Sequence, residues 1–451
     1  MTDLAPDMDN RSKFTPKPDL PPPPNTTGVS GWLRYNLFNG VFNSILTVLS
    51  IIAIFFMVKA FYEWAFVNAI WEASSRDECR ISSTEIGTCW AGVNVWFTRF
   101  IYGRYADAEI WRINLGFIIF IIWMVPLWLP KITSKIFIGL SAVLIYPFLA
   151  GYMFLGGERG WFMEVMVAFS LTCFLFVLIH SLLCLVTGLG LYWWIVKISG
   201  FSEKNEHQHK YPVIGFTLLT VAVVAFLIND ITFKYMSNNL WGGLFLTLVI
   251  SGIAIASALP AGIILALGRR SKMAVIRVLC VAFIELFRSV PLITILFMAT
   301  TMFPLFLPGG MVINKLASAI VALCLFAAAY MAEVVRGGLQ AIPKGQYEAA
   351  EAVGLTYWQA TILIVMPQAL KFMIPNIVGN FMGLLKDTTL VSIIGLYDLL
   401  GMINAVSHDP KWIGLHHEPL FTAAVIFFIG CFAMSKYSQH LERNLGAGHG
   451  R

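Results

Sequence analysis

Long apolar runs, each interrupted by a few polar or charged positions, dominate the pattern of this chain. A hydrocarbon core of about 30 Å takes about 20 apolar residues in a helix, and roughly ten runs reach that length. They fall at about 41–64, 114–130, 136–155, 165–196 and 211–229 in the first half. In the second half they fall at about 241–267, 274–300, 317–336, 371–398 and 419–437. The pattern predicts an all-α polytopic membrane protein with about ten transmembrane helices.

Composition agrees. Hydrophobic residues make up 58% of the 451 and charged ones 12%, with a mean hydropathy of +0.75. One soluble core cannot hide that much apolar surface. The net charge of +6 is spread through short loops rather than gathered into a stripe, which argues against a nucleic-acid face and for membrane topology. Lys and Arg collect in alternate loops. Arg269, Arg270, Lys272 and Arg277 mark one tight loop as cytoplasmic, and Gly337–Leu370 and both termini fall on the same side.

Residues 1–30 are polar and proline-rich without an apolar core, and are expected to form a disordered cytoplasmic tail rather than a cleavable signal. Residues 31–237 read as an N-terminal membrane region with about five helices and a tryptophan-rich periplasmic loop at 65–113. Residues 238–440 hold the other five spans, and 441–451 a second cytoplasmic tail. Of the seven cysteines, five lie in apolar runs and none forms a CxxC pair, so no metal site is expected. Cys79 and Cys89 share the periplasmic loop and either close a disulfide or remain two free thiols.

The stretch from Pro343 to Leu370 cannot enter the bilayer, because Lys344, Glu348 and Glu351 lie in its first turns. Its punctuation predicts two short helices. Pro343 suits a first helical position, and Gly354 suits a left-handed cap. Thr356 precedes Gln359 by the spacing of a capping box, and Pro367 predicts a break or kink. Glu348 and Glu351 share a face beside Ala349, Ala350 and Ala352, a slim rod able to enter a groove. The alternative is an ordinary amphipathic loop with solvated carboxylates.

Glu348, Ala349, Ala350, Gly354, Ile364, Met366 and Pro367 together resemble the EAA signature of ABC importer permeases, with Met366 where leucine is usual. Four ordered stretches narrow the resemblance to the polar amino-acid branch, that is, the histidine, glutamine and general L-amino-acid permeases. They are IELFRSVPLI (284–293), AAYMAEVVRGGLQAIPKGQYEAAEAVG (328–354), MPQALKFMIPNIVGN (366–380) and LLKDTTLVSIIG (384–395). The resemblance implies a type I importer (MetI-like) permease core in the C-terminal five helices, with a coupling loop at 341–367. In that family the loop inserts into a cleft on an ATPase, which gives Glu348, Ala349, Ala350, Glu351, Gly354 and Pro367 a coupling role. It also implies a second permease subunit, two ATPase subunits and a periplasmic amino-acid-binding protein at the inner membrane. No GxxxxGK[ST] phosphate loop occurs here, so ATP and Mg are expected on the partner ATPase, with no cofactor bound by this chain and no enzymatic activity of its own.

Ionisable groups inside spans are candidates for the path by default. Glu285 and Arg288 are three residues apart and can pair with each other; alternatively, Arg288 receives a substrate carboxylate and Glu285 its ammonium group. Pro291 predicts a kink there. In the ninth span Asn380, Gly383, Lys386, Asp387, Thr388, Thr389 and Ser392 interrupt an apolar run, and Thr388 can start a new half-helix. Glu333 and Arg336 are expected to brace the loop. A self-sufficient secondary transporter coupling ions through Glu285 and Arg288 gives no reason for the alanine-rich knob. A membrane scaffold fits only the aromatic first half.

Overall fold

The computed structural model describes residues 28–446, apart from 83–86, 130, 133, 159, 188–219, 221–222, 225–231 and 309–312. The expected fifth span at 211–229 lies almost entirely outside the described residues. Those residues are helical, with isolated β-bridges and no strands. Eight helices among them are long and apolar enough to cross a membrane, or nine when one bent pair is taken as a span, where the sequence predicts ten. The chain divides into two compact units.

The first unit holds α1 (Gly28–Asn36), α2 (Val41–Tyr62) and most of α3 (Arg76–Ser82). Helix α1 takes in residues 28–30 of the expected disordered tail, the rest of which lies outside the described residues. Helix α2 is apolar all round with no buried residue, the mark of a helix whose solvent is lipid. It passes through a π turn at Glu63–Val67 into a folded loop, where the Trp90 indole donates to the Ala65 carbonyl at 2.8 Å. Cys79 and Cys89 form a disulfide in this loop.

The second unit contains the remaining spans. Its first part is α4 (Trp90–Tyr102), α5 (Ile110–Trp128), α6 (Lys135–Leu144), α7 (Tyr146–Leu155) and α8 (Trp161–Thr187). An aromatic core joins these helices to the second part through Trp123, Tyr146, Phe154 and Phe245. Their polar tips are satisfied: the Trp123 indole donates to Ser141 Oγ at 3.1 Å and the Tyr146 hydroxyl to the Gly116 carbonyl at 2.9 Å.

The second part comprises α9 (Gly243–Arg269), α10 (Ala274–Ser289), α11 (Leu292–Phe297), α12 (Lys315–Ala341), α13 (Lys344–Ala352), α14 (Met366–Asp387), α15 (Leu399–Val406) and α16 (His417–Gly446). Helices α9 and α12 make the most extensive helix pairing. Hydrocarbon tails supply no hydrophobic drive between helices, so close van der Waals contact through small residues must hold them. Ala258, Ala266, Ala328 and Ala332 are buried, and a Cβ on Gly262 would fall 2.7 Å from the Met331 side chain.

Three local expectations are sharpened. The kink expected at Pro291 is present and sharp: α10 and α11 are bent by 107° about it. Proline disfavours the helical basin for its predecessor, and Val290 is extended at φ −103°, ψ 133°. Of the break or kink expected at Pro367, the break does not occur. Tyr357–Ser392 is a continuous helical run, and the wide π turn at Ala360–Val365 absorbs the missing amide and the ring of Pro367. Of the expected tail at 441–451, the described residues are helical through Gly446, and 447–451 lie outside the described residues.

Candidate functional site

At one end of the long Tyr357–Ser392 run stands the knob. Pro343 is extended and lies just outside α13 rather than at its first position, which is Lys344. Gly354 takes φ +81°, open only to residues without a Cβ penalty, and reverses the chain. The next helical turn carries the full capping box: Gln359 N donates to Thr356 Oγ1 at 3.4 Å, and Thr356 N donates to Gln359 Oε1 at 2.9 Å. Ala350 is buried on the inner side of α13, whereas Glu348, Ala349, Glu351 and Val353 are exposed. Ties from outside the knob fix α13, among them the Tyr347 hydroxyl, which donates to the Leu339 carbonyl of α12 at 3.4 Å. Gln368 donates to Gln346 Oε1 at 3.0 Å, and Arg270 donates to the Tyr347 hydroxyl at 3.2 Å.

Between the C-terminal turns of α9, α10 and α12 lies a charge cluster. Glu285 and Arg288 do not pair with each other; each is taken by a residue from another helix. Glu333 is the hub: it meets Arg269 at 2.7 Å, Arg336 at 2.8 Å and Arg288 at 3.6 Å. Glu285 meets Arg269 at 3.1 Å. The i,i+3 spacing allowed the Glu285–Arg288 pair, but Arg269 and Glu333 bring opposite charge closer than either can find on α10. Glu333 precedes the end of α12 by about two turns, so the cluster sits near the same end of the molecule as the knob.

Further along α12 and α14 is a cavity of 610 Å³, lined by Phe326 and Tyr330 on one side and Asn376, Asn380, Gly383 and Asp387 on the other. These α14 residues recur at intervals of four, three and four, one face of a helix. Of the ninth-span residues singled out by sequence, the structure brings Asn380, Gly383 and Asp387 together here. Lys386 is exposed and points elsewhere. Thr388 does not start a half-helix. It opens a 3-10 turn through Ser392 that closes α14, and its hydroxyl donates to the Leu385 carbonyl at 2.8 Å. Thr389 and Ser392 cap carbonyls in the same turn. No amide end is therefore aimed at the cavity from Thr388. Arg288 lies 5.7 Å from the Tyr330 ring centre, which links the cluster to the cavity wall.

The sequence matches the family described as binding-protein-dependent transport system inner membrane component over residues 258–446. It is 37% identical over 431 residues to the inner membrane amino-acid ABC transporter permease protein YhdY of Escherichia coli (strain K12), covering 96% of this chain and 97% of that protein. The chain belongs to the amino-acid ABC transporter permease family. This permease is also 37% identical over 439 residues to the glutamate/glutamine/aspartate/asparagine transport system permease protein BztC of Rhodobacter capsulatus, covering 95% of the chain and 96% of that protein. A crystal structure of an amino acid ABC transporter with histidines aligns over 45% of the chain and 92% of its own, at 30% identity and a TM-score of 0.41.

The sequence reading of the permease missed Arg112. It is fully buried, and it donates from Nε to the Met153 carbonyl at 2.7 Å and from Nη1 to the Lys234 carbonyl at 2.9 Å. It thereby clamps α5, the end of α7 and the segment leading to α9. A single arginine at the start of an apolar run was the available signal, but snorkelling explains such a residue equally well. Asp398 was missed too. It is fully buried and caps α15, accepting from Gly401 N at 2.9 Å and Leu400 N at 3.3 Å.

Proposed function

We propose that this permease forms the translocation path of an ATP-driven amino-acid importer together with a second permease subunit, and takes force from a separate ATPase through α13. The observation that carries the reading is the exposed face of the knob: Glu348, Ala349 and Glu351 beside Val353, Tyr357 and Trp358, the last three 79%, 59% and 60% exposed. A helical run of 36 residues is about 54 Å long against a hydrocarbon core of about 30 Å, so its first turns project past the bilayer. Apolar surface exposed to water at such a tip fits a protein partner.

Two ATPase subunits hold ATP and its magnesium ion, and no cofactor belongs to this chain, which carries no phosphate-loop motif. A periplasmic binding protein delivers the amino acid, and both termini lie in the cytoplasm with the coupling loop. Closure of the ATPases moves α13. Buried Ala350 and the Gln346–Gln368 bond pass the motion to α14, and the Arg270–Tyr347 bond passes it to α9. Substrate travels along the α12–α14 face, where Asp387 suits an ammonium group and Asn376 and Asn380 offer amides to its polar atoms. The contacts between Glu333 and the arginines let α9, α10 and α12 exchange partners at the inner end as access alternates.

Glu348→Arg tests the reading. The variant inserts in the membrane but loses both co-purification with the ATPase and substrate-stimulated hydrolysis. Retention of both contradicts the coupling role.

A further inference from the structure

A second cavity, of 390 Å³, opens at the other end of the molecule from the knob. Val95, Trp96 and Arg99 of α4 and Arg104 just beyond it form one wall, and Tyr397 and Met402 form the other. Every one of these residues lies outside the spans: α4 precedes the span that begins at Asp107, and Tyr397 and α15 lie between Ser392 and His417. The Tyr357–Ser392 run separates them from α13 by about 54 Å, so they face the opposite side of the membrane.

The site is held in place. Arg104 N donates to the Leu240 carbonyl at 3.1 Å, and its guanidinium donates to the Asn239 carbonyl at 3.1 Å and lies 4.9 Å from the Tyr397 ring centre. Gly243 N donates to the Tyr397 carbonyl at 2.8 Å. Among the described residues Arg104 has no carboxylate partner, and the carboxylate that pairs with Arg99, Asp107, stands at 3.8 Å, beyond hydrogen-bond reach. Two guanidinium groups with donors to spare therefore flank an apolar, aromatic hollow. That combination favours a carboxylate carried on a partly apolar body.

The hollow is a shallow dish, with Val95 61% and Tyr397 42% exposed. A small-molecule pocket would enclose most of its ligand. An open dish of arginine, tryptophan and tyrosine instead has the make-up of a protein-docking hot spot. We infer that this dish is a docking point for an acidic side chain on the surface of the binding protein on which transport depends, presented to Arg104 and Arg99. The inference rests on the importer reading and on the topology given with it. Half of the dish lies in residues 95–104, outside the matched family region of 258–446, which gives the additional N-terminal segment a role in receiving that partner.

The test uses the assembled transporter in nanodiscs with its binding protein. Arg104→Glu and Arg99→Glu each weaken binding-protein affinity by about tenfold or more, and raise by a similar factor the binding-protein concentration that half-stimulates hydrolysis. Basal hydrolysis without binding protein is unchanged and confirms assembly. Arg104→Lys restores part of the affinity, and the wild-type affinity falls more steeply with ionic strength than that of Arg104→Glu. A wild-type complex that ignores the binding protein overturns the importer reading and this inference together. A responsive wild type with unaffected variants overturns the inference alone. So does loss of bound anionic phospholipid from the variants at unchanged binding-protein affinity, which assigns the dish to a lipid headgroup.

Discussion

Glu333→Gln is the sharpest probe of the charge cluster, because the same structure supplies its control. Glu333 has a side chain 14% exposed and holds three arginines, at 2.7, 2.8 and 3.6 Å. Glu285 is 55% exposed and holds Arg269 at 3.1 Å. Removing one partner of a buried pair costs about 3–5 kcal/mol, whereas exposed pairs contribute about 0–1 kcal/mol. Glu333 lies nearer the first case, discounted for arginines that are 27–35% exposed, which gives about 2–4 kcal/mol for Glu333→Gln. Glu285→Gln costs about 0.5 kcal/mol. The two carboxylates share Arg269, so the double variant costs less than the sum. Denaturation midpoints of the assembled complex, measured in one lipid mixture, should move several times further for Glu333→Gln than for Glu285→Gln. Equal shifts, or the reverse order, would refute the hub.

Arg112→Leu leaves the Met153 and Lys234 carbonyls buried without their donor, at about 1–3 kcal/mol each; a denaturation midpoint no lower than that of Arg99→Leu would remove the clamp. Burial pushes the Asp398 carboxyl up to about 7, although three backbone amides, its own included, oppose the shift. Its ordinary value is about 3.9, so its stabilising contribution is complete below about pH 4 and is lost as pH rises through about 7. Asp398→Asn keeps the cap and abolishes that component, so its denaturation midpoint should fall less than the wild type's between about pH 5 and pH 8. Parallel curves would contradict this. Thr356→Ala removes the capping box and should cost about 1 kcal/mol, read as the same midpoint shift. An unshifted midpoint would leave the cap without energetic weight.

The parts of the knob that depend on near neighbours were legible in the sequence. Gly354 and the Thr356–Gln359 pair act within a few residues, so spacing alone locates the reversal and the new helix start. The face shared by Asn380, Gly383 and Asp387 was legible for the same reason, since helical period fixes it. What depends on distant chain was hidden. Pro367 is a separate case: it reads as a break or kink, and the π turn beside it is local but carries no sequence signature of its own. Glu285 and Arg288 read as a pair because Arg269 and Glu333 come from other helices. Arg112 has partners 41 and 122 residues away, beyond the reach of any periodicity.

Force transfer through α13 is tested most directly by cross-linking. A cysteine at Ala349, on the exposed side of the helix, is paired in turn with single cysteines along the cleft of the ATPase in the assembled, transport-competent complex. The account predicts a cross-link at one or more cleft positions that forms in the resting complex, blocks substrate-stimulated hydrolysis, and is restored to free thiol and activity by reduction. An active complex in which Ala349→Cys cross-links to no cleft position would contradict it.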